Sequence, residues 1–113
     1  NCFDADTIEF RESFKVLLLN RSNQVLGVFN VSEGGISQTV VDIRLILQSA
    51  ILSNASGVIL AHNHPSGNLS PSREDDMITN RIKSACELMN ISVLDHVIIT
   101  SERYYSYADE GRI

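Results

Sequence analysis

Two histidines and one aspartate follow a short apolar segment, and this arrangement constrains the fold more than any other feature of the chain. The apolar segment 57–61 is predicted to be a buried strand; His62 and His64 come directly after it, and Asp75 follows His64 after ten intervening residues. Because a strand directs residues i and i+2 to one face, both imidazoles should point together, with Asn63 turned away. The fold must therefore bring this strand end close to the next helix.

Helical phase distinguishes Asp75 from its neighbour Asp76. A helix is predicted from Ser72 to about Asn90, with an apolar stripe formed by Ile78, Ile82, Ala85, Cys86 and Met89. Asp75 lies two turns before Ile82 and projects from nearly the same side, whereas Asp76 is turned by about 100° toward a solvated face. Since burying an unpaired carboxylate is costly, Asp75 needs a partner.

Imidazole and carboxylate groups together are suitable ligands for one zinc ion. We therefore predict that His62, His64 and Asp75 hold this ion. Three protein ligands leave a fourth position open, which is more typical of catalytic than of structural sites, and a water there has its pKa lowered to roughly 7. The pattern Ser72-x-x-Asp75 also resembles a capping box, a role that is compatible with metal binding.

A hydrolase that activates water also needs a general base. Early acidic candidates are Glu9, Glu12 and Glu33, and Glu74 lies beside the motif. Glu12 stands two residues before Phe14, at the mouth of the first predicted strand, and could share a face with it. From spacing alone, an exposed charge at a strand end is the simpler interpretation of Glu12.

The order of predicted elements indicates a mixed α/β sandwich around one central sheet. Strands are predicted at 14–19, 25–31, 57–61, 91–100 and 104–107. Asp42 and Ser72 are the predicted caps of two helices, and the first should bury Ile43, Ile46, Leu47, Ala50 and Ile51. The 113 residues suffice for one domain. No apolar run approaches the roughly 18 residues of a membrane span.

Charge and cysteine content narrow the possible partners and compartment. The net charge of −5 and the scattered basic residues argue against broad binding to a phosphate backbone. Cys2 and Cys86 do not make a disulfide framework, and Cys86 is expected in the core, so a reducing cytoplasm is the simplest location. The chain starts without Met or a signal-peptide pattern, and we expect it to be a fragment.

Two further features have structural explanations. His96 alternates with Val97 in an apolar strand, and we interpret it as a hydrogen-bonded structural residue rather than a fourth ligand. Asp95 is either the hydrogen-bond partner of His96 or a charged residue that faces the turn. The pair Tyr104-Tyr105 lies outside any cluster of basic residues that would favour base stacking, so packing at an edge strand is the better interpretation.

The motif residues resemble a known family. HxHP at 62–65 followed by SxxD at 72–75 is similar to the JAMM (MPN+) metalloprotease signature. The fuller strings HNHPSG at 62–67 and PSRED at 71–75 resemble its bacterial RadC branch, as do DH at 95–96 and YYS at 104–106. The resemblance begins at about Phe10, so we divide the chain into an N-terminal extension, 1–9, and a RadC-like JAMM domain, 10–113.

This resemblance implies a curved mixed β-sheet flanked by helices, with cytidine deaminase-like layering, and one zinc ion. It implies the ligands His62, His64 and Asp75. Ser72 matches the serine that helps to stabilise the oxyanion of the tetrahedral intermediate. Glu12 best matches the setting of the catalytic glutamate on an early strand. The implied activity is a zinc-dependent peptidase or isopeptidase with a metal-activated water.

The main alternative is a non-catalytic, DNA-associated accessory module in which zinc only ties the strand to the helix. DNA association follows from the RadC family name alone, because nothing in the chain matches the N-terminal helix-hairpin-helix region of RadC proteins. A metal-dependent nuclease is a third interpretation, but its His-Asn-His motif spreads over a longer ββα unit. The peptide or isopeptide substrate and the oligomeric state stay open, and no membrane association is expected.

Overall fold

The computed structural model describes residues 12–33 and 41–113. The predicted extension 1–9 lies outside the described residues, so its separation from the domain stays a prediction. The elements are β1 Ser13–Leu19, β2 Val25–Glu33, α1 Ile43–Leu52, β3 Gly57–Asn63, α2 Arg73–Leu88, β4 Ser92–Ile99 and β5 Tyr104–Ser106. This order agrees with the predicted one, and the bounds differ by one or two residues.

The described strands form a five-stranded mixed sheet in the order β2-β1-β3-β4-β5. β3 and β4 are parallel, and the other neighbouring pairs are antiparallel. The connection between β3 and β4 runs through α2, as parallel neighbours require. In the β1–β3 register Phe14 stands opposite His62, so the first residues of β1 lie beside the end of β3. The predicted α/β fold class is confirmed.

Side chains from both helices enter one hydrophobic cluster with alternate residues of β1 and β3. The helices contribute Ile46, Ala50, Ile82 and Cys86, and the strands contribute Phe14, Val16, Leu18, Val58 and Leu60. The period of two along a strand explains this alternation. His62 follows Leu60 by two residues, so the next position of the same stripe carries an imidazole instead of an apolar group. The metal motif therefore extends the core-facing row of β3.

Two members of the predicted apolar stripes are not core residues. Ile51 is 48% exposed, and Met89 is 49% exposed. Ile51 lies one residue, or about 100°, beyond the buried Ala50, and Met89 is already the C-cap of α2. Cys86 has no exposed surface, as predicted for a core residue.

Local sequence signals account for the helix ends. The Asp42 side chain accepts a hydrogen bond from the Arg44 amide at 2.9 Å, as expected of an N-cap. Asn54 and Asn90 follow the two helices with positive φ angles of 55° and 58°, a conformation that asparagine adopts more readily than most residues. Neither described helix is long and apolar enough to cross a membrane.

Candidate metal centre

The end of β3 and the first turn of α2 bring His62, His64 and Asp75 into direct contact. The two Nε2 atoms of His62 and His64 are 2.9 Å apart. Asp75 Oδ1 lies 3.1 Å from His62 Nε2, and Asp75 Oδ2 lies 3.1 Å from His64 Nε2. His62 and Asp75 are buried, at 1% and 9% exposure, whereas His64 is partly open. Three potential ligand atoms thus converge at one point.

Asp75 and Asp76 project from different sides of α2, as helical periodicity predicts. Asp76 is not simply exposed to solvent, however, because its side chain has two partners. Tyr107 donates its hydroxyl hydrogen to Asp76 Oδ1 at 2.7 Å, and the Arg112 guanidinium lies 2.8 Å from Asp76 Oδ2. The interpretation of Asp76 as part of a solvated face was therefore incomplete. Both partners come from the segment after β5, and helical periodicity within α2 contains no information about them.

The protonation of His64 follows from its position in the loop. His64 Nδ1 lies 2.7 Å from the backbone oxygen of Asn68, and a carbonyl oxygen only accepts, so Nδ1 carries a hydrogen. In a neutral His64 ring, Nε2 is therefore a bare acceptor directed at Asp75 and His62. Two nitrogen lone pairs cannot face each other at 2.9 Å without repulsion. Either a hydrogen on His62 Nε2 or a metal ion between the two nitrogens relieves this repulsion.

The electrostatics of the site also favour a cation. Burial alone would raise the pKa of Asp75, but hydrogen bonds from His62 and His64 in their protonated forms outweigh it and hold that pKa below its usual range. The hydrogen bond to Asp75 raises the pKa of His64, while burial opposes this change. Asp75 is therefore a carboxylate at neutral pH, and its charge stabilises a positive charge at the imidazoles.

The donor set fits a single metal ion. One ligand atom each from Glu12, His62 and His64 lie within 4.8 Å of one another, which makes these residues a candidate metal-binding group among the described residues. Zinc–nitrogen bonds of about 2.0–2.1 Å in a tetrahedron separate two ligand atoms by ~3.3 Å. The observed contacts between His62, His64 and Asp75 are slightly shorter, so a small opening would accommodate the ion.

Glu12 reaches the site because β1 and β3 are antiparallel neighbours. Its half-buried side chain precedes the first residue of β1, and Phe14 stacks on the His62 ring with centroids 5.6 Å apart. The Ser13 amide donates to Asn63 Oδ1 at 2.7 Å, a buried bond that ties the backbone next to Glu12 to the strand that carries the histidines. The interpretation of Glu12 as merely an exposed strand-end charge is wrong, because Glu12 faces both histidines.

Ser72 is both the helix cap and part of the site wall. The Ser72 hydroxyl accepts from the Asp75 amide at 3.0 Å, and the Ser72 amide donates to Asp75 Oδ2 at 2.8 Å, so the predicted capping box is present. Because the hydroxyl acts as an acceptor in this box, its own hydrogen can be donated elsewhere. Ser72, Glu12, His62, His64 and Asp75 line one cavity of about 670 Å³.

His96 is hydrogen-bonded and buried, in agreement with the structural interpretation, but it also contacts the site. Its Nε2 atom is 2.8 Å from His62 Nδ1, and its ring stacks on Tyr107 with centroids 4.9 Å apart. Burial lowers the pKa of His96 to about 3, so the ring is neutral at ordinary pH. Asp95 accepts from the His96 backbone amide and from the Ser106 hydroxyl, so it holds β4 and β5 together.

Sequence reasoning missed two residues at the site. Thr79 lies 2.5 Å from His96 Nδ1, and Asn63 binds the backbone of β1. Thr79 stands one turn after Asp75, a spacing that places both on one face of α2 and could have identified it. Alternation along β3 turns Asn63 away from the histidines, and this pattern gives no signal for its bond to β1.

The fold and the site define a small α/β domain with a candidate metal centre where β3 meets α2. The chain belongs to the RadC-like JAB domain family, whose model matches residues 3–112. It is 50% identical to a UPF0758 protein of Flavobacterium johnsoniae over 88% of this chain and 44% of that protein. A UPF0758 protein of Porphyromonas gingivalis is 45% identical over 89% and 45%. One from Thermotoga maritima is 41% identical over 91% and 46%. The chain thus spans less than half the length of these relatives.

Proposed function

We propose that the chain is a metal-dependent hydrolase of amide bonds, a peptidase or isopeptidase of the JAMM type with one zinc ion. The observation that carries this proposal is the convergence of His62 Nε2, His64 Nε2 and the Asp75 carboxylate, with contacts of 2.9 to 3.1 Å. Two imidazoles and a carboxylate match the ligand chemistry of catalytic zinc sites. Membership in the RadC-like JAB family supports the same class.

The proposed ligands are His62, His64 and Asp75. When bound, a zinc ion supplies a Lewis acid that polarises a scissile carbonyl and lowers the pKa of water. His62 and His64 would hold it through Nε2, since the Nδ1 atom of His64 is committed to the Asn68 carbonyl. Asp75 adds the negative charge that the two neutral rings lack.

Glu12 is the proposed general base. Its carboxylate shares a cavity with both histidines, with one ligand atom of each of the three residues inside a 4.8 Å cluster. A carboxylate at that position takes a proton from water in the cavity and delivers it to the leaving amine, a role that typically contributes about 10²–10⁴-fold in rate. Glu12 could otherwise serve as a ligand, and its substitution distinguishes the two roles.

Ser72 is the proposed donor to the oxyanion of the tetrahedral intermediate. Its hydroxyl accepts from the Asp75 amide, which orients the oxygen and leaves the hydrogen to be donated. The cavity of about 670 Å³ that Ser72 lines offers room for several residues of an extended peptide or an isopeptide branch.

The test combines metal analysis with hydrolysis of a fluorogenic peptide library. We expect about one zinc ion per chain, lost in His64→Ala and kept in Glu12→Gln, with the latter slower by roughly 10²–10⁴-fold. Glu87→Gln, a change at an exposed acid on α2, is the control and should match the unmodified chain. Less than about half an equivalent of zinc, unchanged by His64→Ala, contradicts the proposal. Metal loss in Glu12→Gln would make Glu12 a ligand.

A further inference from the structure

We infer that Thr79 and His96 are positioning residues that fix the tautomer of His62 so that its bare Nε2 faces the metal. This inference rests on the metal site proposed above, but it concerns residues outside the motif. Thr79 lies on α2 and His96 on β4, and both are buried, with exposures of 2% and 0%. They therefore connect the first ligand to the helix that carries Asp75.

Asp75, Thr79, His96 and His62 form an unbroken series of short contacts, which we call the relay. Thr79 Oγ1 lies 2.6 Å from the backbone oxygen of Asp75 and 2.5 Å from His96 Nδ1. His96 Nε2 lies 2.8 Å from His62 Nδ1. His62 Nε2 then faces Asp75 Oδ1 at 3.1 Å, at the candidate metal position. The relay starts at the backbone oxygen of Asp75 and ends at the side chain of the same residue.

The available hydrogens allow only one direction of hydrogen-bond donation along the relay. A carbonyl oxygen cannot donate, so the single hydroxyl hydrogen of Thr79 must be directed at the Asp75 oxygen. His96 Nδ1 must then donate to Thr79 Oγ1. Because a charge on the fully buried His96 ring would be costly, its Nε2 carries no hydrogen and accepts from His62 Nδ1. His62 Nε2 is consequently the bare nitrogen of its ring.

Reversal of the hydrogen bonds in the relay would place a hydrogen on His62 Nε2, the atom that should bind the metal. If His96 carried its hydrogen on Nε2, His62 Nδ1 would have to accept it, and His62 Nε2 would then be protonated. A protonated nitrogen is not a metal ligand, so zinc binding would require the hydrogens of the whole relay to rearrange. His64 does not need such a relay, because the Asn68 carbonyl orients its ring directly.

Zinc affinity of Thr79 variants tests the relay in the full chain. Thr79→Val keeps the shape and removes the hydroxyl, and we expect zinc to bind about 10- to 100-fold more weakly. Thr79→Ser restores the hydroxyl and should stay within about 3-fold of the unmodified chain. The matched control is Thr100→Val, which removes another buried threonine hydroxyl, one bonded to the Arg103 backbone. It should not change zinc affinity. Wild-type affinity in Thr79→Val, or equal weakening in Thr79→Ser, overturns the relay.

Long-range ¹H–¹⁵N correlation spectra of the metal-free chain give a second readout that does not depend on folding of the variants. They distinguish protonated from bare ring nitrogens, and we expect His62 Nδ1 and His96 Nδ1 to be protonated and His96 Nε2 to be bare. A bare His62 Nδ1 overturns the relay even if zinc binds tightly. If these protonation states are found but the unmodified chain binds no zinc, the relay stands and the proposed hydrolase fails.

Discussion

The Ser13 amide donates to Asn63 Oδ1 across 2.7 Å, and both residues are buried. Asn63 is the last residue of β3, between the two histidines, and Ser13 follows Glu12. One side-chain bond therefore holds the start of β1 against the strand end from which the imidazoles project. It explains why an asparagine stands at a position that alternates with the metal motif.

Replacement of Asn63 by alanine should destabilise the chain by about 1–3 kcal/mol, because the buried Ser13 amide would lose its acceptor. Urea-induced unfolding measures this change. Asn80→Ala, at an exposed position of α2, is the control and should alter the free energy of unfolding by less than about 0.5 kcal/mol. Equal effects of the two substitutions would show that the Asn63 bond contributes nothing specific.

Substitution of the two adjacent aspartates should separate metal binding from stability. Asp75→Asn removes the charge that faces both imidazoles, so we expect zinc affinity to fall at least 10-fold. Asp76→Asn removes an ion pair with the partly exposed Arg112 but keeps an amide oxygen that can accept from the Tyr107 hydroxyl, so the free energy of unfolding should change by only about 0–1 kcal/mol. Competition with a chromophoric chelator and urea unfolding give the two quantities. A larger loss of zinc affinity in Asp76→Asn than in Asp75→Asn would contradict the assignment of Asp75 as the metal ligand.

Truncation of Ile82 should be among the most damaging single changes in α2. Ile82 has no exposed surface and lies in the cluster shared by both helices and the sheet. Ile82→Ala should cost about 2–5 kcal/mol of unfolding free energy through lost burial and the cavity left behind. Leu88→Ala on the same helix is the matched control, since Leu88 is 85% exposed. Unfolding midpoints that shift equally in both variants would contradict the position of the core.

The Cys86 thiol should resist thiol reagents in the folded chain. It is fully buried, and burial raises its pKa to about 11 from 9.0, so the nucleophilic thiolate is scarce. The unfolded thiol ionises first as the pH rises past 9.0, so this group's contribution to stability is present below pH 9.0 and is lost toward about 11. In a Cys2→Ser background, a chromogenic disulfide reagent should label Cys86 at about pH 8 only after denaturation. Rapid labelling of the folded chain would contradict its burial.

Local interactions made much of the fold predictable. The N-caps Asp42 and Ser72, the asparagines that follow each helix and the alternation along β3 depend on residues close in sequence, so the pattern alone indicated the order of elements. The inward direction of Asp75 also follows from helical periodicity. The exposed Ile51 and Met89 show the limit of this reasoning, because periodicity does not determine where the neighbouring layer ends.

Residue order alone specifies the helix and strand segments and a group of two imidazoles and one carboxylate near a strand–helix junction, because hydrogen bonding and side-chain direction within an element follow short-range geometry. Residue spacing does not bring Glu12 into that group, since its approach depends on the antiparallel pairing of β1 with β3 in the folded chain. The contact between His62 and His96 likewise depends on the parallel pairing of β3 with β4. These pairings join residues far apart in sequence through packing of the whole sheet, which no local pattern encodes.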